Sequence, residues 1–559
     1  MPNRSDGLWH RVKILTASEM KAADEATSSA YGIPQRVLIE SAGRAVAACA
    51  LDALPHAGAR VLVVAGPGNN GADGFVTARV LHNLRVPVTV LALLRPPEQL
   101  HGQAENGQAG TGDAGNCAAA YTAAGGELLF PDGNWQEALI NLRPRVIIDA
   151  LFGSGFRAPA TGAAAEIIKF INERLYRPTV TVIAVDIPSG LNADLPELFA
   201  PAVKATDTIA FQALRPAHVH YPASAQCGNV YLADVGISDA LVSGAGKAEL
   251  LTAAAVQPML RALRGTGARS HKGTRGHVAL YTGSSGKFGA AKLSSEAALR
   301  AGAGLASILT DPASAEALAP ELKEVMCEAL PPRAAGHHLC ESLATKDSIV
   351  LGPGLGISPD GKELMVSFLE AARDCSLPMI IDADGLNMLA ELSGSAEGLA
   401  AFRGKLPSEV ILTPHPGEMA RLLRLSVAAV EADRPAAARK LAGALGATVV
   451  LKGARTVISS PEGHVKINPT ASSALATAGS GDVLAGVCGA YLARGLSAFD
   501  AAAAAVFVHG VAGERVGCEM SVGALAGDIL RAIPGALDHV LRAPESRPGL
   551  TRLALRAGS

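Results

Sequence analysis

The strongest constraint on this chain is a repeated local pattern. Short runs of β-branched and aliphatic residues end in Gly or Asp, and Ala-rich stretches of helical character lie between them. V-L-V-V-A-G follows Arg60, V-I-I-D follows Arg145, and Thr179 to Asp186 reads T-V-T-V-I-A-V-D. Runs this short, apolar on both sides of the pleat, suit strands whose two faces are both covered. Their alternation with helices predicts an α/β fold, a parallel sheet with helices on both faces. A second set of such runs begins with V-A-L-Y-T-G after His277, I-V-L-G-P-G-L-G after Ser348 and I-I-D-A-D after Met379. It continues with I-L-T-P-H-P after Val410 and V-V-L-K-G-A after Thr448. At 559 residues the chain exceeds what one hydrophobic core organises. We therefore expect two domains, residues 12–240 and 250–545, with 238–247 (S-D-A-L-V-S-G-A-G-K) as a linker. Between Pro96 and Asn116 the sequence loses periodicity, which predicts a mobile surface loop. No repeat of fixed period is visible, which argues against a solenoid.

Charge and cysteine usage exclude several classes. A net charge of −2 gives no electrostatic reason for nucleic acid or an anionic membrane as partner. The eight Cys residues form no C-x-x-C pair, which argues against a zinc site or disulfide framework and fits a reducing compartment. The opening M-P-N-R-S-D-G-L-W-H-R has no apolar core of a signal sequence, and no uninterrupted apolar run approaches 18 residues. The expectation is a soluble cytoplasmic protein.

The chemistry gathers in glycine-rich turns. Asn468 to Ala490 reads N-P-T-A-S-S-A-L-A-T-A-G-S-G-D-V-L-A-G-V-C-G-A, small and hydroxyl residues leading into Gly479-Ser480-Gly481-Asp482 and then an apolar helical segment. A turn so free of side chains lets backbone N–H groups close on an anion at a helix start. A carboxylate there would repel phosphate, so Asp482 is read as the acceptor of a proton from a substrate hydroxyl in phosphoryl transfer. The plain alternative is a Gly-rich turn with Asp482 as N-cap. In the first half, Gly66 to Gly74 reads G-P-G-N-N-G-A-D-G, neither a dinucleotide fingerprint nor a Walker loop, yet rich in amides and carrying a carboxylate. Asp149 runs into A-L-F-G-S-G-F and Asp186 into I-P-S-G-L. Acids gathered at neighbouring strand ends repel one another unless a proton or a cation held by oxygen ligands intervenes.

These motifs, in this order, resemble a known family. Residues roughly 12–237 resemble the NAD(P)H-hydrate epimerase domain through N-N-G-A-D-G, D-A-L-F-G-S-G-F and D-I-P-S-G-L. Residues roughly 250–540 resemble the ADP- or ATP-dependent NAD(P)H-hydrate dehydratase domain, a branch of the ribokinase-like superfamily. The carrying motifs are S-H-K-G-T-R-G-H, G-A-A-K-L-S-S-E-A-A-L-R-A-G-A-G-L, G-P-G-L-G, D-A-D-G-L-N, T-P-H-P-G-E, L-K-G-A and G-S-G-D-V-L-A-G. The resemblance implies an N-terminal Rossmann-like three-layer sandwich and a C-terminal ribokinase-like α/β domain, in a bifunctional enzyme that repairs the hydrates of NADH and NADPH.

The resemblance also implies roles. Substrate phosphates would lie along Asn69, Asn70, Gly71, Ala72 and Asp73. The loop Gly153, Ser154, Gly155, Phe156, Arg157, Ala158 and Pro159 would close over the dinucleotide, with Asp186 facing the nicotinamide ring as acid–base group. Potassium would be held by Asn70, Asp149 and Ser189. In the second domain Asp482 would be the base. Ala290, Gly354, Gly356 and His415 would contact substrate, and Lys452, Gly453, Ala454, Arg455 and Thr456 would bind nucleotide with Gly479, Ser480 and Gly481. ADP is the implied co-substrate, with ATP as alternative and Mg2+ as companion, and a homo-oligomer is implied. Phosphorylating the hydroxyl converts a poor leaving group into phosphate, which the ring nitrogen lone pair can expel. The sequence departs from the family pattern at Ala72 and Ala478, each in place of Gly, and at Arg215, where the family tends to show Lys. Two other readings stay open: a vitamin or sugar kinase with a regulatory N-terminal half, and an N-terminal half serving as a non-catalytic interaction module.

Overall fold

In the N-terminal half, alternate residues of each central strand enter different cores. Val61, Val63 and Ala65 pack on one face of the sheet and Leu62 and Val64 on the other, all fully buried. Burying a side chain of this size contributes roughly 1.5–3 kcal/mol, so a strand apolar on both faces is stable only between two helical layers. The computed structural model describes residues 12–93, 112–157, 159–263, 271–330, 336–520, 522–543, 551–553 and 555. The chain forms two units, one up to Gly246 joined by the C-terminal strand Thr551–Arg552, the other from Lys247 through the helix Ala526–Arg542.

The first unit holds one sheet. Its parallel strands lie in the spatial order Asn229–Ala233, Asp207–Phe211, Thr181–Val185, Val146–Ala150, Val61–Ala65, Val88–Ala92 and Glu127–Leu129, and Thr551–Arg552 adds antiparallel to the Asn229 edge. Helices Ala17–Tyr31, Gln35–Ala53, Asn69–Asn83 and Asp113–Ala123 cover one face, and Trp135–Leu142 and Gly162–Phe170 the other. This is the three-layer sandwich expected. The strand order reverses at Val61–Ala65, which pairs with Val88–Ala92 on one side and Val146–Ala150 on the other. Open α/β sheets bind ligands at such a switch point, and the first glycine turn sits there.

The second unit also holds one sheet. Its strands run in the order Ala248–Leu250, Val465–Ile467, Val457–Ser459, Thr448–Leu451, Val410–Leu412, Met379–Ile381, Ser348–Leu351, His277–Tyr281, Leu305–Thr310 and Met326–Ala329. The strands from Thr448 to the Met326 edge are parallel, and Val457–Ser459 is antiparallel to both its neighbours. Helices Phe288–Arg300, Ser480–Ala493, Ala498–Glu519 and Ala526–Arg542 share one core with the sheet. The helix after the G-S-G-D turn lies tight against Phe288–Arg300: a methyl on Gly486 would stand 2.0 Å from the Ser294 carbonyl oxygen.

The division between the units, after Gly246, falls inside the expected linker 238–247, but that segment also carries a helix, Asp239–Gly244, whose Val242 enters the first unit's core. An apolar side chain with a docking site on that core overrides the turn-like composition. Asp113 to Asn116, expected in a mobile loop, form the first turn of the helix Asp113–Ala123, anchored by Ala114 and Ala118. The expected loop from Pro96 to Thr111 lies outside the described residues.

Candidate active sites

A cleft of about 1250 Å³ opens at the switch point of the first sheet. The helix Asn69–Asn83 begins there with Gly68 as N-cap and no side-chain cap, which leaves its first amides without a side-chain partner. Asn69, Asn70 and Asp73 line the cleft, as do Gly153, Ser154, Gly155, Phe156, Arg157 and Asp186. Gly71 and Ala72 do not. A methyl on Gly71 would strike the Gly66 carbonyl oxygen at 1.8 Å, so that position is glycine to bring the helix start against the strand end. Ala72 is fully buried in the core behind the helix, so its methyl fills protein interior and meets no ligand. Pro159 is exposed and lies off the lining, and Ala158 lies outside the described residues.

Asp186 is held in place. It adopts φ +60°, a left-handed conformation in which a non-glycine residue is uncommon and which clusters at functional sites. Its Oδ2 accepts from the Ser154 amide at 3.1 Å, its Oδ1 lies 3.4 Å from Arg215 Nη2, and its carbonyl oxygen lies 2.8 Å from His218 Nε2. Arg215 is buried, its Nη1 donating to the Ala213 carbonyl at 3.1 Å. The charge absent from the family's Lys position is therefore supplied to Asp186 by a guanidinium.

Asp149 is sealed in the sheet and is not part of the acid crowd. Its Oδ1 accepts from Ser189 Oγ at 2.6 Å and its Oδ2 from the Ser189 amide at 2.8 Å. Burial pushes its pKa up to about 6, against the lowering effect of those bonds. The acids that repel one another are Asp73, Asp186 and Asp24. Burial, then Asp186 and Asp24, hold Asp73 well above the carboxylate range. Burial raises Asp24 to about 6, with Arg215 opposing and Asp186 adding to the rise. Asp24, missed by sequence reasoning, lies on Ala17–Tyr31 and lines the cleft. The sequence did carry a signal: Met20, Ala23, Asp24 and Thr27 fall at i, i+3, i+4 and i+7, a carboxylate on the apolar face.

The three residues expected to hold potassium, Asn70, Asp149 and Ser189, are all buried. Asn70 Nδ2 is buried without a partner, Ser189 Oγ also accepts from the Phe152 amide at 2.9 Å, and Asp149 is a buried carboxylate with no cation against it. A turn of the Asn70 amide about its last side-chain bond would put its carbonyl oxygen, a cation ligand, in the place of Nδ2. Carbonyl, hydroxyl and single-carboxylate oxygens suit a hard ion of low charge.

In the second unit, Gly479 is the N-cap of Ser480–Ala493 at φ +88°, a backbone that favours glycine. Asp482 is thereby the third residue of the helix and not its cap, which removes the plain reading of the turn. Its carboxylate makes no hydrogen bond among the described residues. Burial raises it to about 6, with Asp382 adding, Lys452 opposing and Asp384 adding. Lys452 reaches the same turn: a methyl on Gly481 would lie 3.3 Å from its Nζ. That ammonium pairs with Asp382 Oδ1 at 2.7 Å and lies 3.9 Å from Glu418 Oε2. Burial works against its charge, and Asp382 and Glu418 outweigh burial and leave its pKa raised. Glu418, pushed to about 7 by burial despite Lys452, completes a buried acidic wall that sequence reasoning left unassigned with Asp382 and Asp384.

The remaining expected residues take identifiable places. His415 is the N-cap of Pro416–Leu423, its Nδ1 accepting from the Gly417 amide at 3.0 Å and its own amide donating to Glu418 Oε2 at 2.8 Å. Its side chain is half exposed, so the cap also presents ring atoms to solvent. Gly354 abuts Ala290, whose Cβ would stand 2.9 Å from a methyl at Gly354. The Gly356 amide donates to Asp384 Oδ2 at 2.7 Å, beside Lys287 Nζ at 3.2 Å. Gly453 and Ala454 are exposed, Arg455 is buried, and Thr456 Oγ1 donates to the Gly453 carbonyl at 3.1 Å. Ser480 Oγ lies 3.2 Å from Nε2 of His509, which burial keeps neutral with a pKa near 4.

Known proteins match both units. The family model described as NAD(P)H-hydrate dehydratase matches residues 278–535, and that of the YjeF-related protein N-terminus matches 35–217. The bifunctional NAD(P)H-hydrate repair enzyme Nnr of Moorella thermoacetica is 38% identical over 545 residues, 94% of this chain and 97% of its own. That of Escherichia coli is 32% identical over 518 residues, 92% of each. The crystal structure of the ADP/ATP-dependent NAD(P)H-hydrate dehydratase from Bacillus subtilis, co-crystallised with ATP/Mg2+, is 27% identical, with a TM-score of 0.43 over 52% of this chain and 98% of its own. Identity of 38% and 32% to these two repair enzymes over more than nine-tenths of the chain, with a family model matching each unit, means that the chain belongs to the family of bifunctional NAD(P)H-hydrate repair enzymes.

Proposed function

We propose that the chain repairs hydrated NADH and NADPH in two steps. The first unit interconverts the R and S hydrates, and the second dehydrates the S epimer with ADP or ATP as phosphoryl donor. The observation that carries this reading is the placement of Asp482 and the Lys452 ammonium at one glycine turn. A carboxyl with a pKa near 6 is a base matched to neutral pH. The amides of Gly479 to Gly481 and the ammonium supply donors for phosphoryl oxygens. Asp482 takes the proton of the substrate hydroxyl as its oxygen attacks the terminal phosphorus; the ring nitrogen lone pair then expels phosphate, and loss of a proton from the neighbouring ring carbon to solvent restores the ring C=C bond and the nitrogen lone pair.

ADP is the favoured donor by family likeness. Among the described residues no group of three or more His, Cys, Asp and Glu forms a metal cage. Mg2+ would therefore come with the nucleotide phosphates, as it commonly does. In the first unit Asn70, Asp149 and Ser189 would hold potassium, whose chemistry there is to balance the Asp149 charge and brace the turns. All eight Cys residues are free thiols, and no described helix is long and apolar enough to cross a membrane; both support a cytoplasmic reading. We read the protein as a homo-oligomer on family likeness alone. Purified protein mixed with hydrated NADH should restore reduced-nicotinamide absorbance on addition of ADP or ATP, with nucleotide consumed in step. Recovery without nucleotide, or phosphorylation of a stable sugar or pyrimidine alcohol instead, would overturn the reading.

A further inference from the structure

Taking the first unit as the hydrate epimerase proposed above, its cleft contains a carboxyl on the Ala17–Tyr31 wall to which the described residues give no partner. Asp24 lies half-buried on the helix Ala17–Tyr31, on the face that carries Met20 and Thr27 inward. Its carboxylate takes no hydrogen bond among the described residues, although Lys21, Glu25 and the backbone of its own helix are close in sequence. A carboxyl on the apolar face of a helix costs stability unless something uses it. It lines the same cleft as Asp186 but comes from the helical wall, whereas Asp186 comes from the strand end.

The charged groups facing it are Asp186 and Arg215 from the strand-end turns, Asp73 from the helix Asn69–Asn83, and Glu25 from its own helix. Arg215 is committed to Asp186. One guanidinium cannot neutralise three carboxyls, so protons must be retained among them. Burial raises Asp24 to about 6, whereas Asp186 stands against the Arg215 guanidinium. Two carboxyls on different walls of one cleft, one in an ion pair and the other in none among the described residues, have the unlike surroundings that an acid and a base need.

We propose that Asp24 is the second catalytic residue of the epimerase, acting with Asp186 as an acid–base pair across the hydrated ring. In one direction the ring nitrogen lone pair forms a C=N bond as the C–O bond of the hydrated carbon breaks. The leaving oxygen takes the Asp24 proton and departs as water. Water then adds to the opposite face of that carbon, the C=N electrons return to nitrogen, and Asp186 accepts the released proton. The reverse direction exchanges the two roles, so the pair shares a single proton throughout. No oxidant, nucleotide or metal is consumed.

The test uses the full-length protein and a single purified epimer, with appearance of the other followed by chromatography without nucleotide. A wild-type protein that does not interconvert the epimers refutes the epimerase reading itself. If it does, Asp24→Asn should slow interconversion by at least about 100-fold, the scale of a lost acid–base group. Asp24→Glu should restore part of the rate. Nucleotide-dependent dehydration of the S epimer by both variants should equal wild type, which reports a folded chain. The wild-type rate should also fall above about pH 6, as Asp24 gives up its proton, and Asp24→Asn should lose that limb. An Asp24→Asn protein with an epimerisation rate within twofold of wild type, or with the same alkaline limb, overturns the proposal.

Discussion

Lys452 and Asp382 meet across an intervening strand. Lys452 follows Thr448–Leu451, Asp382 follows Met379–Ile381, and Val410–Leu412 lies between, yet Nζ and Oδ1 are 2.7 Å apart. The pair ties the nucleotide segment to the D-A-D segment and holds an ammonium at the G-S-G-D turn. Asp382 is 1% exposed in its side chain and Lys452 20%. Breaking a fully buried pair costs 3–5 kcal/mol; with Lys452 partly in water, about 2 kcal/mol is expected.

That relationship predicts non-additive stabilities. Lys452→Met leaves Asp382 buried and unpaired, and Asp382→Asn leaves Lys452 without its main partner. Each should lower unfolding stability by about 2 kcal/mol. The double variant should be more stable than Lys452→Met alone, because no charge is then stranded. Urea unfolding of the four proteins measures this. A double variant whose loss equals the sum of the singles would show that the two groups do not act as a pair.

Asp482 governs the second reaction alone. Asp482→Asn keeps the side chain's size and removes the proton acceptor, so dehydration should fall by at least about 100-fold. Epimerisation, in the other unit, should persist. The base works as carboxylate, so kcat/KM for dehydration should rise with pH through about 6, the pKa that burial gives Asp482. A flat profile between pH 5 and pH 8, or near wild-type dehydration by the variant, would place the base elsewhere.

Much of this was legible before the structure. The central strands could be read because they are apolar on both faces, and Val61–Ala65 and Ser348–Leu351 fall where their runs fall. The three-residue strands Ala248–Leu250, Val457–Ser459 and Val465–Ile467 are too short to show a period, and their pairing is set by tertiary contacts. The glycine turns announced the sites because such turns have few other uses. The carboxyls that tune the sites were hidden for different reasons. Asp24 sits in K-A-A-D-E, where neighbouring charges mask the apolar face that it shares with Met20, Ala23 and Thr27. Glu418 could have been found, since His415 and Glu418 have capping-box spacing, but the Lys452 that approaches it comes from a distant strand.

Ala72 offers a test of a sequence departure. The family pattern has Gly there, yet this methyl lies in the core behind the helix Asn69–Asn83. Ala72→Gly should therefore cost about 1 kcal/mol of stability from helix propensity alone, with no gain in epimerisation. A variant that epimerises several-fold faster would mean that the methyl does obstruct the substrate.

Potassium should act on stability with a sign fixed by Asp149. Its folded pKa of about 6 lies above its ordinary 3.8, because burial favours the neutral form. The folded chain therefore binds this proton more tightly than the unfolded chain. The contribution of Asp149 is fully present below about pH 4 and is lost as pH rises through 6. A monovalent cation bound by Asn70, Asp149 and Ser189 would compete with that proton and stabilise the ionised form. Added potassium should then raise the thermal transition of the first unit at pH 7.5 and have little effect at pH 5. Asp149→Asn should remove the potassium dependence while leaving dehydration intact. Sodium or choline serving as well as potassium, or an equal shift at both pH values, would mean that no such site exists between these side chains.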